Sequence, residues 1–432
     1  MWLQRTQWYN PKQLIKIQDR KLKNAFEHAY RNVPFYRKLY DSAAISPSSI
    51  RNAEDVTKLP IVSRENLLNT PLKERTAVNA DINSCRVQTS SGTSGSRLTV
   101  LEDPYSAAYR DALNLRFLWA YGVRPFTKVC RLFGWPSEAG NPMSTTRLAD
   151  QKGFWATIRA RTAKFQMTPP FDDSVIKKHI EVLSAWKPEV LMAMTYYCKA
   201  LARVAEISGK SISFKVVVTS GELLDESARK LISNKFNAEV FDHYGIEEVG
   251  SIAWECPTHS GYHVNAESCI LEFLRDGESV AAGENGEVQI TSFHKKATPM
   301  IRYSVGDIAT SPSPDNDCSC GRNLPLVKNI QGRIIDFIVT KEGHRIAPGA
   351  VIYHLENSYG VDQFKVTQRK DFSIEVLLTT HEAADPVIRD AEQRCRMLFG
   401  DLLYTVRIVE RIGNTKGVKL RMVESHLGSD FS

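Results

Sequence analysis

The feature that most constrains the fold lies between residues 129 and 243, where short apolar runs alternate with amphipathic stretches. Residues 129–134, 190–194, 215–220 and 238–243 are brief runs rich in Val, Leu, Met and Phe, each bounded by polar or turn-forming residues. Runs this short are too short for buried helices and read as strands. Between them, residues 173–186, 196–207 and 224–236 place apolar side chains every three or four positions, the spacing of a helix with one buried face. Strand–helix–strand alternation of this kind predicts an α/β domain whose sheets are at least partly parallel.

The texture changes after Cys269. Residues 269–274 and 286–293 alternate apolar and polar side chains, the pattern of antiparallel strands, and a Gly/Pro/Asp/Ser/Cys-rich loop follows at 311–323. This predicts a small β-rich subdomain. From Gly332 onward the chain reads strand, turn, helix, strand, strand, helix, strand, with strands at 333–340, 364–368, 372–378 and 404–409 and a helix at 385–398. We therefore expect residues 1–331 as a large N-terminal domain and 332–432 as a small, mobile α+β domain of common size. At the N-terminal end, Leu14, Ile17, Leu22, Ala25, Phe26 and Ala29 predict a helix that stops at Pro34.

Composition narrows the class of protein. The chain has 432 residues, 42% hydrophobic and 24% charged, enough for a sizeable core without cross-links. Its most apolar stretch, residues 190–205, is broken by Lys199 and Arg203, and the first residues, MWLQRTQWYNPKQ, lack the apolar centre of a signal peptide. We expect no membrane association and a cytoplasmic location. Eight cysteines scattered over a long chain suit a reducing compartment, where a cysteine cluster binds metal more readily than it forms disulfides. The net charge of +7 comes without basic runs interleaved with aromatic residues, so nucleic acid is not an expected partner.

Six short stretches carry chemistry. Ser90, Ser91, Gly92, Thr93, Ser94 and Gly95, followed by Ser96 and Arg97, offer hydroxyl donors and backbone that can approach a phosphate, without the Gly-Lys-Ser/Thr of a Walker loop. Ser220, Gly221 and Glu222 follow an apolar strand, the end at which α/β sheets bind ligands. Asp242, His243 and Tyr244 end another strand, and the adjacent Glu247 and Glu248 offer hard oxygen ligands for Mg²⁺. Asp307, after Gly306, could accept hydrogen bonds from a ribose diol. Arg333 lies at the domain boundary. Lys416 and Lys419 lie near the C-terminal end, where an ammonium could meet charge developing at an α-phosphate.

In this order the stretches resemble the adenylate-forming (acyl-CoA synthetase-like) superfamily, and within it the phenylacetate–coenzyme A ligase family and its CapK-like branch. The N-terminal Val33-Pro34-Phe35-Tyr36 and Lys58-Leu59-Pro60 followed by Arg64-Glu65 look like that family's first landmarks, so the resemblance spans nearly the whole chain. It implies that residues 90–95 form the phosphate loop and that Ser220, Gly221, Glu222, Asp242, His243 and Tyr244 border the adenine. It further implies that Glu248 is linked to Mg²⁺, that Asp307 binds the ribose, that Arg333 is the hinge-side arginine and that Lys419 serves adenylation. The chain departs from the pattern at three places. Ser96 stands where Lys is usual, with Arg97 next. Ile335 takes the usual place of the hinge acid, with Asp336 one residue late. The terminal motif reads Gly417-Val418-Lys419, which leaves Lys416 as a rival.

A metal site is also expected. Cys256 and His263, with Cys318 and Cys320, make a four-ligand set of the kind that holds structural Zn²⁺, and some members of the resembled family carry one. His259 competes with His263, since Cys-x2-His is also a familiar spacing. The implied activity is ATP-dependent activation of a small carboxylic acid as an acyl adenylate, then transfer to a thiol (coenzyme A or a carrier arm) or, alternatively, to an amine. A nucleotide-binding protein without catalysis and simple ATP hydrolysis without an acid are the remaining alternatives. Trp135, Tyr196 and Tyr197 could wall an acid pocket or belong to the core. The acid and the oligomeric state, a dimer among the options, are not legible.

Overall fold

The computed structural model describes residues 2–90, 97–132, 162–165, 173–313, 318–410, 412 and 422–427. The chain forms two compact units, Met1–Arg124 with His243–Ile330 and Pro125–Asp242 with Gln331–Ser432. The architecture is mixed α/β, as the alternation predicts.

In the first unit the helix Pro11–Asn32 is set by its own sequence. Asn10 and Gln13 form a reciprocal capping box, Pro11 occupies the first turn, and the helix stops at Val33. Pro34 then starts the next helix, Pro34–Ser42, because the missing N–H costs nothing at that position. Leu22, Phe26, Tyr36 and Tyr40 bury their side chains against residues of the strands Cys269–Arg275, Asn285–Ser292 and Tyr303–Thr310. These strands pair antiparallel, with Cys269 opposite Ser292 and Ile290 opposite Tyr303, and a bulge between Glu287 and Gln289. A second antiparallel ladder joins the end of the strand Glu239–Ile246 to Gly250–Glu255, Tyr262–Val264 and Leu326–Val327. The hairpin Arg86–Thr89 with Thr99–Glu102 closes on the pair Thr89 and Thr99.

In the second unit Val190–Met194 lies between Val129–Leu132 and Val216–Ser220, all parallel, and Thr162–Phe165 extends the sheet at Val129–Leu132. The helices Asp173–Trp186, Thr195–Ile207 and Glu226–Phe236 cover it through Ile180, Leu201, Ile232 and Phe236, which are fully buried. The C-terminal part has its own core. Strands Gln363–Gln368, Ile374–Thr379 and Tyr404–Ile408, with Val423–Ser425, pack on the helices Pro348–Glu356 and Ala384–Phe399 through Val366, Val376, Leu355 and Cys395.

One expected element differs. The run 333–340 is not a continuous strand. It divides into the end of Ile330–Arg333, a single 3₁₀ turn at Ile334–Asp336 and the two-residue strand Ile338–Val339. The strand continues through Gly332, at φ +99, to Arg333, and the break comes at the 3₁₀ turn, whose backbone cannot join a continuous ladder.

Candidate active site and metal centre

Among the described motif residues, Ser220 ends the strand Val216–Ser220, whereas Asp242, His243 and Tyr244 lie inside Glu239–Ile246, which runs three residues past the expected end at 243, and Asp307 lies inside Tyr303–Thr310. Ser90 is buried and returns the hairpin to itself. Its N–H donates to the Leu98 carbonyl at 2.9 Å, and the Leu98 N–H donates to its hydroxyl at 3.1 Å. Ser91, Gly92, Thr93, Ser94 and Gly95 lie outside the described residues, as do Trp135, Lys416 and Lys419. Tyr244 and Asp307, 63 residues apart, meet in the first unit. The Tyr244 hydroxyl donates to Asp307 Oδ2 at 2.7 Å, and the Asp307 side chain is buried. His243 is held from two sides, by the Ser251 hydroxyl 2.8 Å from Nε2 and by the Phe117 ring, whose centre is 4.8 Å away.

Of the two adjacent glutamates, Glu248 is buried and Glu247 is exposed. Glu248 Oε1 accepts from Arg64 Nη1 at 2.9 Å. The other terminal nitrogen of the same guanidinium donates to the Ser90 hydroxyl at 2.7 Å. Arg64 thus links the first residue of the expected phosphate loop to the expected metal-linked carboxylate. Sequence reasoning noticed Arg64 only as a family landmark. Its position just after the helix N-cap Ser63 was the one local signal available.

The second unit holds the other expected residues. Asp242 is buried and accepts from the Thr219 hydroxyl at 2.8 Å, so it is fixed against the neighbouring strand Val216–Ser220. Gly221 takes φ +80 directly after that strand, a turn a side chain would strain. Glu222 folds back onto the start of the helix Thr195–Ile207. Its carboxylate accepts the Tyr196 N–H at 2.7 Å, and its carbonyl accepts the Thr195 hydroxyl at 3.3 Å. A carboxylate there satisfies an otherwise orphaned donor and opposes the positive end of the helix dipole. Arg333 ends the strand Ile330–Arg333 and precedes the 3₁₀ turn, half-buried. Tyr197 is core: it is fully buried, with its hydroxyl hydrogen-bonded to His179 Nδ1.

The expected metal ligands converge in the first unit. The ligand atoms of Cys256, His263, Cys318 and Cys320 all lie within 4.8 Å of one another. Cys256 Sγ is 3.2 Å from Cys318 Sγ, and His263 Nε2 is 3.1 Å from Cys320 Sγ. Cys256 directly follows Gly250–Glu255, His263 sits on Tyr262–Val264, and pairing of that strand with Leu326–Val327 brings the 318–320 turn alongside. Gly261 permits the approach: a Cβ there would stand 2.6 Å from the Val327 carbonyl oxygen. His263 Nδ1 faces the Leu324 carbonyl at 3.3 Å. A carbonyl only accepts, so Nδ1 carries the proton and the Nε2 lone pair faces the sulfurs.

Burial pushes the Cys256 thiol up to about 12 and the His263 imidazole down to about 4. Burial also acts to raise Cys318, but the Cys320 N–H and the neighbouring thiols outweigh it and bring Cys318 below its usual value. His259 is not in the cluster. It lies at φ +54 with Nδ1 on Glu255 Oε1 at 2.9 Å, half-turned to solvent.

No family model matches the chain. Relatives and solved structures do. The chain is 25% identical to the phenylacetate–coenzyme A ligase of Escherichia coli (strain K12), covering 90% of this chain and 89% of that one. It is 19% identical to protein CapK of Staphylococcus aureus, covering 96% and 90%. A crystal structure of 2-hydroxyisobutyryl-CoA ligase in the postadenylation state superposes with a TM-score of 0.78 at 20% identity, covering 97% of this chain and 90% of that one. The chain therefore shares its fold with that ligase. Its sequence is similar over nearly the full length to a phenylacetate–coenzyme A ligase and to protein CapK. Among the described residues, no helix is long and apolar enough to cross a membrane.

Proposed function

We propose that the chain is an AMP-forming acid–thiol ligase. It would activate a small carboxylic acid with ATP as an acyl adenylate and pass the acyl group to the thiol of coenzyme A or a carrier arm. The observation that carries this reading is near-full-length similarity to a phenylacetate–coenzyme A ligase, together with a candidate residue at each motif position. In the first unit we assign Asp307, oriented by Tyr244, to the ribose, and Ser90 with the rest of residues 90–95 to the phosphates. His243 and Tyr244 are assigned to the adenine side. In the second unit we assign Ser220, Gly221, Glu222 and Asp242 to the adenine side and Arg333 to the hinge. We keep the division at 331/332 as the boundary of the mobile C-terminal domain.

Glu248 is a buried carboxylate on a turn that follows a strand, which fits Mg²⁺, a cation that selects oxygen ligands. Bound there with the nucleotide, Mg²⁺ would neutralise charge on the phosphates. Lys419 would place an ammonium against the charge that grows as the carboxylate attacks the α-phosphorus and pyrophosphate leaves. No protein nucleophile is required.

The four-residue cluster fits Zn²⁺. Zinc–sulfur distances of about 2.3 Å in a tetrahedron separate sulfurs by about 3.8 Å, so the Cys256–Cys318 pair at 3.2 Å would widen by roughly half an ångström and the widest pairs, up to 4.8 Å, would close by about 1 Å. Four protein ligands leave no open position, so the zinc would be structural.

The test is exchange of labelled pyrophosphate into ATP across a panel of aryl, short-chain and amino acids, with wild type and Lys419→Ala. We expect exchange that needs a particular acid and falls by about two orders of magnitude or more in the variant. Coenzyme A and amines are then offered to the adenylate in turn. Acid-independent exchange, or full exchange in Lys419→Ala, would refute the assignment. Product formed with amines and not with thiols would replace the acceptor.

A further inference from the structure

The guanidinium of Arg64 holds two groups that the proposed reaction uses separately. Its backbone is anchored before its side chain is considered. The Val62 N–H donates to the Arg302 carbonyl at 2.8 Å, and the Ser304 N–H donates to the Val62 carbonyl at 2.9 Å. Residue 62 is thus tied to the start of the strand Tyr303–Thr310, which carries Asp307. Ser63 then caps the short helix Arg64–Leu68 by a reciprocal bond with Asn66, which fixes where Arg64 begins.

From that base the side chain donates to Glu248 and to the Ser90 hydroxyl through its two terminal nitrogens. Glu248 is 7% exposed and Arg64 29%, so the pair is screened less than a surface pair. Only a planar fork reaches both acceptors at once. An ammonium is a point charge that would satisfy one of them.

A carboxylate oxygen that receives a guanidinium N–H at 2.9 Å cannot also bind a divalent cation unopposed. An oxygen-bound Mg²⁺ or Mn²⁺ sits about 2.1 Å from its ligand, which would leave two like charges within roughly 4 Å of each other. We propose that Arg64 is a positioning residue that stands in for the divalent cation: until metal and nucleotide arrive, it latches Glu248 to the base of the phosphate loop, and the metal opens this latch by displacing it from Glu248. This rests on the reading of Glu248 as the metal-linked carboxylate.

The test measures Mn²⁺ retention by the full-length protein at saturating α,β-methylene-ATP, from the electron paramagnetic resonance signal of free Mn²⁺. Four proteins are compared: wild type, Arg64→Met, Glu248→Gln and the double variant. Arg64→Lys is the conservative control. Arg64→Met removes the competing charge and keeps the stem, and we expect Mn²⁺ to bind about fivefold tighter. Arg64→Lys stays within twofold of wild type. Glu248→Gln binds Mn²⁺ more weakly, and adding Arg64→Met to it changes nothing further. A merely structural arginine would shift both backgrounds alike, or weaken metal binding through a looser fold. Unchanged or weaker binding in Arg64→Met, while Glu248→Gln is weakened, would overturn the latch and leave the ligase reading standing. Unchanged binding in Glu248→Gln would remove the metal role of Glu248, and the latch with it.

Discussion

The zinc assignment makes a prediction whose size follows from the fold. A ligand that binds only the folded state stabilises it by RT ln of its saturation ratio, so each tenfold rise in free zinc adds about 1.4 kcal/mol. The cluster lies in the unit built from Met1–Arg124 and His243–Ile330, roughly 210 residues. An unfolding entropy of about 2.1 cal/mol/K per residue gives that unit ~0.45 kcal/mol/K. Its melting temperature should therefore rise by about 3 °C per decade of buffered free zinc, measured by calorimetry at fixed pH with a non-chelating reductant. Cys318→Ser should flatten the slope, since two sulfurs and one imidazole cannot complete the tetrahedron. His263→Ala should flatten it as well. His259→Ala should keep it, because His259 points to Glu255 and not to the sulfurs. A melting temperature independent of zinc from picomolar to nanomolar would refute the reasoning. So would a slope that survives His263→Ala and disappears in His259→Ala.

Two further outcomes follow from buried and capped charges. Arg116 and Glu267 form a 2.8 Å ion pair with neither side chain exposed, so Arg116→Leu strands a carboxylate and should cost about 3–5 kcal/mol, with roughly 8 °C lost on the unit's transition. Arg116→Leu with Glu267→Leu should recover about half of that loss, and calorimetry of the two variants checks it. Lys58, 2.6 Å away, and the backbone N–H groups of Arg51 and Asn52 hold the Asp55 carboxyl down at about 2. Its folded value is depressed, so its contribution is present above the ordinary value of 3.8 and is lost as pH falls through about 2. Asp55→Asn should flatten the pH dependence of the melting temperature in that window.

Much of the fold was legible because local pattern and tertiary demand agree. Residues 190–193 and 216–219 are buried in a parallel sheet, which is what a continuous β-branched or apolar run suits. The helix over residues 224–236 was legible for the same reason, and Asp225 caps it. The run 333–340 was misread because its apolar sequence mimics a strand while the backbone makes a 3₁₀ turn at Ile334–Asp336. Glu222 shows a different limit. In sequence it reads as a first-turn acid for the helix that follows it, but its carboxylate serves the N-terminus of the helix Thr195–Ile207, 26 residues earlier. Arg64 was illegible as a site residue because its partner Glu248 is 184 residues away. The choice of His263 over His259 likewise depends on strand pairing that no spacing rule contains.

The same strand pairing joins the two candidate centres. His243 lies opposite Trp254, and Trp254 lies opposite His263, so a nucleotide-motif residue and a metal ligand occupy one row across adjacent antiparallel strands. Two strand spacings separate them, roughly 10 Å. The row is packed: the Trp254 indole sits 5.2 Å from the His263 ring, and the indole is itself fully buried. One residue beyond His243, and before the register shift between Tyr244 and Gly245, Tyr244 carries the hydrogen bond to Asp307. A metal that fixes His263 therefore fixes the register of the ladder from which His243 and Tyr244 project. Cores close-packed in this way transmit displacement instead of absorbing it. If the cluster holds zinc with no open coordination position, this gives it a reason to exist near the proposed nucleotide site. It would act on the ligand by holding a row of side chains in register, and its chemistry need never touch the substrate.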